Sequence, residues 1–510
     1  MAKQEQFISK IISSYQPKGD FIYLGAGLLN GEIIAAAEVN LALKMMNRHG
    51  LIAGATGTGK TRTLQLVAEQ LSEAAVPVFM LDVKGDLSGL YEAGETNPAL
   101  EERGEALGRP FKPADFPTEL YSLTGKLGAS MRVRLADFGA ILLGRILDLN
   151  DTQTGVLSVL FKYAEDQSLA IITFEDLKKL LNHLTSEEGA QEIKDNYGKI
   201  NTATSTTILR KIVALEQQGV GHIFGDPAFD IQDLFRMQEG KGVISLLNIS
   251  DIQNQPLVFS AFLLSLLVQL FEQLPEVGDL EKPKLIFFFD EAHLLFNGAS
   301  KAFLGRIEQV VRLIRSKGVG IFFCTQAATD IPDTVLGQLG NRIQHALRAF
   351  TPNDAEALRK TARTYPKSDF YTIEQVLTNL GTGQALVTVL NDKGVPTEVV
   401  ATHLIPPRAN MGPLDQATYD RLVQQSTIFA KYKEPINTSG AAAILAGKSK
   451  EEKIVEEVPK STKKTSSTRQ TPMEAMAKSA SRTLGREGVK FLSKLGTAII
   501  ASLVGKKPKK

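Results

Sequence analysis

The sequence predicts an α/β fold: a largely parallel sheet, broken by a mostly helical insertion and followed by a basic tail. Three observations lead there. Gly50-Leu51-Ile52-Ala53 is a short apolar run feeding a glycine-rich stretch. After it, Leu64, Val67, Ala68 and Leu71 recur at helical spacing between Thr61 and Ala75, and Val76–Val83 reads as a strand. Strand, loop, helix and strand in that order open a parallel βαβ unit. The same alternation returns from Gly242 onward, after a long stretch with apolar residues three and four apart. Finally, 43% hydrophobic and 22% charged residues are the proportions of a chain that folds over most of its length.

The elements follow in order. Residues 1–47 read as a short N-terminal β segment, because short apolar pieces alternate with glycine turns from 20 to 47. Residues 48–103 form the first part of the core. Residues 104–239 form the mostly helical insertion, with Phe138, Ile141, Leu142 and Ile146, and then Val156–Tyr163, at helical spacing. Residues 240–405 return to the core: a strand at Gly242–Leu247, a helix at Pro256–Leu274, a strand at Lys284–Asp290, a helix over 300–316, a strand at Gly320–Thr325 and another near Arg342–Arg348. Residues 384–403 read as a hairpin around Asn391-Asp392-Lys393-Gly394. Pro406-Pro407 opens a C-terminal extension, 406–447.

From 448 to 510 the chain is rich in Lys, Glu, Ser and Thr and reads as a disordered linker ending in an amphipathic helix over 472–505. That tail carries 16 Lys+Arg against 6 Asp+Glu, a charge of +10, which leaves −8 for residues 1–447 from a total of +2. Overall charge therefore gives the body no nucleic-acid signature. On the tail helix, Val489, Leu492, Leu495, Ile499 and Leu503 share one side, beside Lys490, Lys494 and four lysines between Lys506 and Lys510. An anionic membrane surface, a nucleic acid or a partner groove would each suit it. The lone cysteine, Cys324, excludes an internal disulfide. The N-terminus lacks a signal-peptide pattern, and no run approaches the roughly 20 apolar residues that span a bilayer. Together these predict a cytoplasmic chain.

The chemistry sits at strand ends. Gly54-Ala55-Thr56-Gly57-Thr58-Gly59-Lys60-Thr61 fits GxxxxGK[ST], the phosphate-binding P-loop, and Arg62 continues it into the helix. Its glycines let backbone N–H groups wrap a β-phosphate, and the helix N-terminus adds the positive end of its dipole. Lys60 is suited to the β- and γ-phosphates of ATP, Thr61 to Mg²⁺. By composition a chance match over the chain has a probability of about 2%, and this one also has the required strand before it and helix after it. Leu285–Phe289 then ends in Asp290 and Glu291. Asp290 would hold Mg²⁺ through water, and Glu291 would polarise the attacking water. A carboxylate pair with no partner would be costly to bury. Ile321–Thr325 ends in Gln326, placed to feel the γ-phosphate. Asp82, Lys84 and Asp86 follow the second strand, where an α/β sheet presents ligands, though an ordinary turn would look the same. His293 reads as a packed strand-end residue. A small-molecule kinase fits poorly, since a glutamate beside the Mg²⁺ aspartate suits water activation. A Ras-like GTPase is excluded by the same glutamate and by the lack of NKxD.

Several segments together resemble one family: Asn47 to Thr61, DVKGD at 82–86, Asp290-Glu291-Ala292-His293, Cys324-Thr325-Gln326 and NRIQHALRAFTPNDAEAL at 341–358. In order and chemistry they are similar to the HerA/FtsK superfamily over roughly residues 20–405, with bacterial HerA-like proteins of the YjgR type the nearest group. The 230 residues from Lys60 to Asp290 set the chain apart from DEAH-box helicases. The resemblance implies a RecA-like ATPase core with ATP and Mg²⁺, working as a homo-oligomeric ring, often a hexamer, that translocates DNA. It also implies an arginine finger from the neighbouring subunit, with Arg348 the first candidate and Arg342 the second. Secretion ATPases of the same superfamily supply the alternative, an ATPase driving protein or membrane-associated assembly. HerA helicases carry an N-terminal β-barrel that docks a nuclease; the roughly 50 residues before the P-loop are too few for one, so a nuclease partner is not expected.

Overall fold

The structure is a computed structural model that describes residues 2–297, 301–436 and 440–446; the basic tail and its expected helix lie outside the described residues. Helix α1 (Ala2–Tyr15) buries Phe7, Ile11 and Tyr15 along one face. The hairpin of β1 (Phe21–Leu29) and β2 (Glu32–Ala42) turns at Asn30 and Gly31, both at positive φ (53° and 87°), as a two-residue turn between twisted strands requires. The core opens with β3 (Gly50–Ala53), α2 (Lys60–Glu73), β4 (Val78–Asp82) and α3 (Pro98–Ala106). Strands β5 (Thr118–Ser122) and β6 (Ala129–Ser130) precede a helical stretch: α4 (Leu135–Ile146), α5 (Asp151–Asp166), α6 (Phe174–Thr185), α7 (Glu187–Ile193) and α8 (Thr202–Gln217). A ribbon of β7 (Met237–Gln238) and β8 (Lys241–Gly242) leads to β9 (Ile244–Asn248), α9 (Pro256–Gln273), β10 (Leu285–Phe289), α10 (His293–Phe296), α11 (Lys301–Ile314) and β11 (Val319–Thr325). The chain closes with α12 (Asp333–Leu336), β12 (Asn341–Gln344), α13 (Pro352–Arg363), α14 (Ile373–Asn379), β13 (Gln384–Thr388), β14 (Val400–Leu404), α15 (Gln416–Gln425) and α16 (Thr427–Tyr432).

Twelve strands form one sheet in the order β2-β1-β14-β13-β12-β3-β11-β10-β4-β9-β5-β6. From β12 to β6 all neighbours are parallel; from β12 back to β2 all are antiparallel. The centre of the sheet explains the unbroken apolar runs. Along β10, Leu285, Phe287 and Phe289 join one core, while Ile286 and Phe288 join the core on the opposite face. Both faces are covered, so the period-two pattern needs no polar positions. Burying the five side chains of β10 contributes on the order of 10 kcal/mol, at roughly 1.5–3 kcal/mol each. This is the α/β P-loop core with a large helical insertion that the sequence predicts. Strand β11 lies between the P-loop strand β3 and the carboxylate strand β10.

Four features depart from the sequence expectations. Residues 1–47, expected to be a short β segment, open with the helix α1, whose Phe7, Ile11 and Tyr15 recur four apart and are buried along one face. The stretch expected to be mostly helical opens with β5 and β6, which extend the main sheet beyond β9. Thr118-Glu119-Leu120-Tyr121-Ser122 is short and carries three polar residues, yet all five are buried; Glu119 is paired with Arg236 at 2.7 Å, a partner too distant in the chain for any local spacing to show. Strand β12 ends at Gln344, so Arg348 lies beyond it. The expectation of a cytoplasmic chain is also corrected. Among the described residues α9 is long and apolar enough to cross a membrane by length and composition. Ser260, Ser265, Gln269 and Glu272 interrupt the apolar run without lowering its average enough to disqualify it. In the structure 61% of this helix is buried, against α4 and α11.

Candidate nucleotide site

The site is built at the carboxyl ends of β3, β11, β10 and β4. After Ala53 the chain turns through Gly54, Gly57 and Gly59, with φ of 153°, 77° and 115°. At Gly54 a Cβ would stand 2.5 Å from His345 Cβ, so no larger residue fits. At Gly57 nothing lies within 4 Å, and the loop is open there, with Thr56 and Gly57 exposed. Helix α2 begins at Lys60 with no side-chain cap, leaving the first-turn N–H groups to face the loop. Lys60 Nζ donates to the Gly54 and Ala55 carbonyls at 2.8 and 3.2 Å, which holds the ammonium inside the loop. Thr61 and Arg62 are half-buried on the first turn, and Arg62 donates to Gln65 Oε1 at 2.8 Å.

The loop is braced from beneath by residues the sequence reading did not single out. His345 is fully buried and hydrogen-bonds Thr63 Oγ1 at 2.9 Å through Nε2. Burial, and then the Lys60 charge, lower its pKa to about 4, so it is neutral at pH 7. Gly383 N donates to Thr58 O at 3.2 Å. Arg103, from α3, donates through Nη2 to Gly383 O and through Nε to Leu404 O at 2.7 Å. No spacing rule links Arg103 or Gly383 to the P-loop; His345 had a signal, since it follows the strand that flanks β3.

On the neighbouring strands the carboxylates come together. Asp290 is buried, and burial followed by the adjacent Glu291 charge raises its pKa to about 6; the Cys324 thiol, hydrogen-bonded to it, opposes the rise. Glu291 has a φ of +50°, a left-handed conformation rare for a residue with a Cβ. Such strain gathers at functional sites when the surroundings enforce it. Here Asp290 Oδ1 accepts from Glu291 N at 3.0 Å, and Ala292 N donates to Cys324 O at 2.8 Å. Glu291 Oε1 lies 3.1 Å from Lys84 Nζ. Glu291 Oε2 is buried with no hydrogen-bond partner among the described residues, and His293 Nδ1 is 3.5 Å away. The Cys324 thiol feels the charges of Lys60, Asp290 and Glu291, so both motifs converge on the end of β11. Gln326, just past the end of that strand, is exposed; Asp330 braces its turn by accepting from Thr325 Oγ1 at 2.6 Å and Ala327 N at 3.0 Å.

The two arginines are placed differently. Arg342 pairs in register with Leu51, back along the strand, and donates to the carbonyls of Leu339, Thr364 and Leu336 at 3.1–3.3 Å. Arg348 lies past the strand end, two residues beyond Ala346, whose carbonyl accepts from Ala55 N at 2.9 Å. It is exposed, with Nη1 on Thr378 O at 2.7 Å. Asp82 is buried, and its carboxylate accepts from the backbone of its own turn, Gly85 N at 2.7 Å and Leu87 N at 3.2 Å.

An open glycine cradle, a buried aspartate and an orphaned buried carboxylate oxygen are the donor set a nucleoside triphosphate with Mg²⁺ needs. The class this defines is the P-loop ATPase. The chain belongs to the Helicase HerA-like C-terminal family, whose model matches residues 29–505. It is a P-loop ATPase of the HerA/FtsK superfamily, related to HerA-type helicases at low identity, and ATP and Mg²⁺ follow from that membership. It is similar to the DNA double-strand break repair helicase HerA of Sulfurisphaera tokodaii, at 23% identity over 70% of this chain. The corresponding protein of Sulfolobus acidocaldarius is 21% identical over the same share. The chain spans 66% of the length of each of these relatives. Among solved structures it is similar to the bacterial conjugative coupling protein TrwBdeltaN70 (TM-score 0.48, 15% identity, covering 74% of this chain and 90% of that one). It is also similar to VirB4 of Thermoanaerobacter pseudethanolicus (TM-score 0.45, 14% identity, 74% and 96%).

Proposed function

We propose that this chain hydrolyses ATP as one subunit of a homo-oligomeric ring, a hexamer by resemblance. Lys60 holds the β- and γ-phosphates within the loop from Gly54 to Arg62, Thr61 and Asp290 hold Mg²⁺, Glu291 polarises the attacking water and Gln326 senses the γ-phosphate. Mg²⁺ supplies neutralisation of the charge that develops on the phosphates. The observation that carries this reading is the strained, largely buried Glu291 beside Asp290 at the end of β10, with one strand between it and the P-loop strand. Arg348 serves the neighbouring subunit's site, because its guanidinium is exposed at the P-loop end of the sheet while all three Arg342 guanidinium nitrogens are engaged by carbonyls. Replacing Glu291 by Gln tests the assignment: ATP binding should persist and turnover should vanish.

Two readings of the cargo rest on different observations. The names of the two curated relatives support DNA. The net charge of −8 on residues 1–447 and the apolar helix α9 support the second reading, an ATPase driving protein or membrane-associated assembly. Turnover measured with double-stranded DNA and with anionic vesicles, each at two salt concentrations, separates them. Stimulation by DNA that fades with salt supports the first. Indifference to DNA with stimulation by vesicles supports the second.

A further inference from the structure

The turn after β4 is built more firmly than a connecting loop requires. The Asp82 carboxylate accepts from three backbone N–H groups, Gly85 at 2.7 Å and Asp86 and Leu87 at 3.2 Å. Gly85 supplies the positive φ, +76°, that closes it. Gln253, just before α9, donates through Nε2 to the Val83 carbonyl. These contacts fix the backbone on both sides of Lys84. They leave its side chain half-exposed, crossing from the end of β4 to the end of β10, its parallel neighbour. There Lys84 Nζ meets Glu291 Oε1 at 3.1 Å.

The consequence for Glu291 is specific. A carboxylate on a flexible side chain has two equivalent oxygens and several rotamers. With Oε1 taken by Lys84, Oε2 is the oxygen left without a hydrogen bond among the described residues, buried and next to His293. The backbone of Glu291 is set by its left-handed turn and its carboxylate by Lys84, so both ends of the side chain are anchored.

We propose that Lys84 is a positioning residue: it holds the carboxylate of Glu291 so that Oε2 faces the water to be activated. This rests on the reading of Glu291 given above. Lys84 acts through Glu291 and, among the described residues, makes no hydrogen bond or ion pair to the P-loop, so its loss separates two kinetic constants. In the full-length protein with Mg²⁺ and ATP, Lys84→Ala and Lys84→Met should each lower kcat roughly tenfold to a hundredfold, the scale of misplacing a reacting group by about 1 Å. KM for ATP should stay unchanged. Lys84→Arg, which keeps a cation with a different reach, should recover part of the loss; a merely structural role would not produce that pattern. An unchanged or raised kcat in both variants, or a rise in KM as large as the loss in kcat, overturns the proposal, the last by placing Lys84 on the nucleotide. Glu291→Gln keeps the two ideas apart. If it hydrolyses ATP normally, the reading of Glu291 fails; if it is inactive while both Lys84 variants turn over normally, only this inference fails.

Discussion

The conformation of Glu291 yields a prediction with a sign as well as a size. A left-handed backbone costs a residue with a Cβ roughly 1–2 kcal/mol, and glycine avoids this cost. Glycine in turn loses about 0.5–1 kcal/mol more backbone entropy on folding. Glu291→Gly and Glu291→Ala both remove the carboxylate and the Lys84 contact, so those losses cancel between them. What remains is the backbone difference. The glycine variant should be the more stable by about 0.5–1 kcal/mol, although glycine is usually the more destabilising choice. The assay is equilibrium denaturation of both variants with the ATPase rate measured alongside. Both should be inactive, because water activation is lost, an effect of about 10²–10⁴ in rate for a general base. An alanine variant as stable as the glycine variant would refute the enforced left-handed turn, and normal turnover in either would remove Glu291 from the chemistry.

Other outcomes follow from the same geometry. Lys60→Ala should abolish hydrolysis and weaken ATP binding, measured with a fluorescent nucleotide; binding at full strength would contradict its place on the phosphates. Arg342→Ala should cost roughly 1–3 kcal/mol of stability, since three carbonyls lose their donor, whereas Arg348→Ala should change stability by less than about 0.5 kcal/mol. In an assembled ring Arg348→Ala should cost about 10³–10⁵ in rate, and mixing it with Glu291→Gln subunits should restore some activity; rescue by Arg342→Ala subunits instead would move the finger to Arg342. Glu69, buried on α2 and accepting from Arg408 N and Ala409 N, has its pKa raised to about 7, chiefly by burial. A raised carboxyl pKa favours folding while the group is protonated, and that stability is lost as pH rises from about 4.5 through 7. Glu69→Gln should therefore gain on the native protein by roughly 2 kcal/mol between pH 5 and pH 8; a constant difference would show that Glu69 does not titrate there.

What the sequence made legible was local. The P-loop, the carboxylate pair and the glutamine each sit within a few residues of a strand end, and a strand end is visible as an apolar run meeting polar residues. What stayed hidden depends on chain segments far apart. Arg103 reaches Gly383 across 280 residues, and Glu119 finds Arg236 across 117, so neither has a spacing to read. Asp82 looked as much like a ligand as Lys84 did; only the three N–H groups gathered by its carboxylate show that it shapes the turn while Lys84 extends from it. Helix α9 is harder to see because Ser260, Ser265, Gln269 and Glu272 break its apolar run while its mean hydropathy over eighteen residues stays high.

Strand order then decides which reaction the assembled site suits. If the P-loop strand and the carboxylate strand were neighbours, the end of β10 would stand about 5 Å from that of β3, with room for a Mg²⁺ bridge and little else. With β11 between them the separation is two strand spacings, roughly 10 Å. A γ-phosphate and one water fit across that gap, and a glutamate on the far side can reach the water without crowding the phosphate. The intervening strand leads directly into the exposed Gln326, between the strand end that runs into the P-loop and the one that runs into Glu291. On the proposed reading, a γ-phosphate that moves or leaves changes the surroundings of Gln326. The turn behind it, braced by Asp330, and the short helix α12 follow it directly in the chain, so a displacement at Gln326 has a covalent path to β12 and the Arg348 loop.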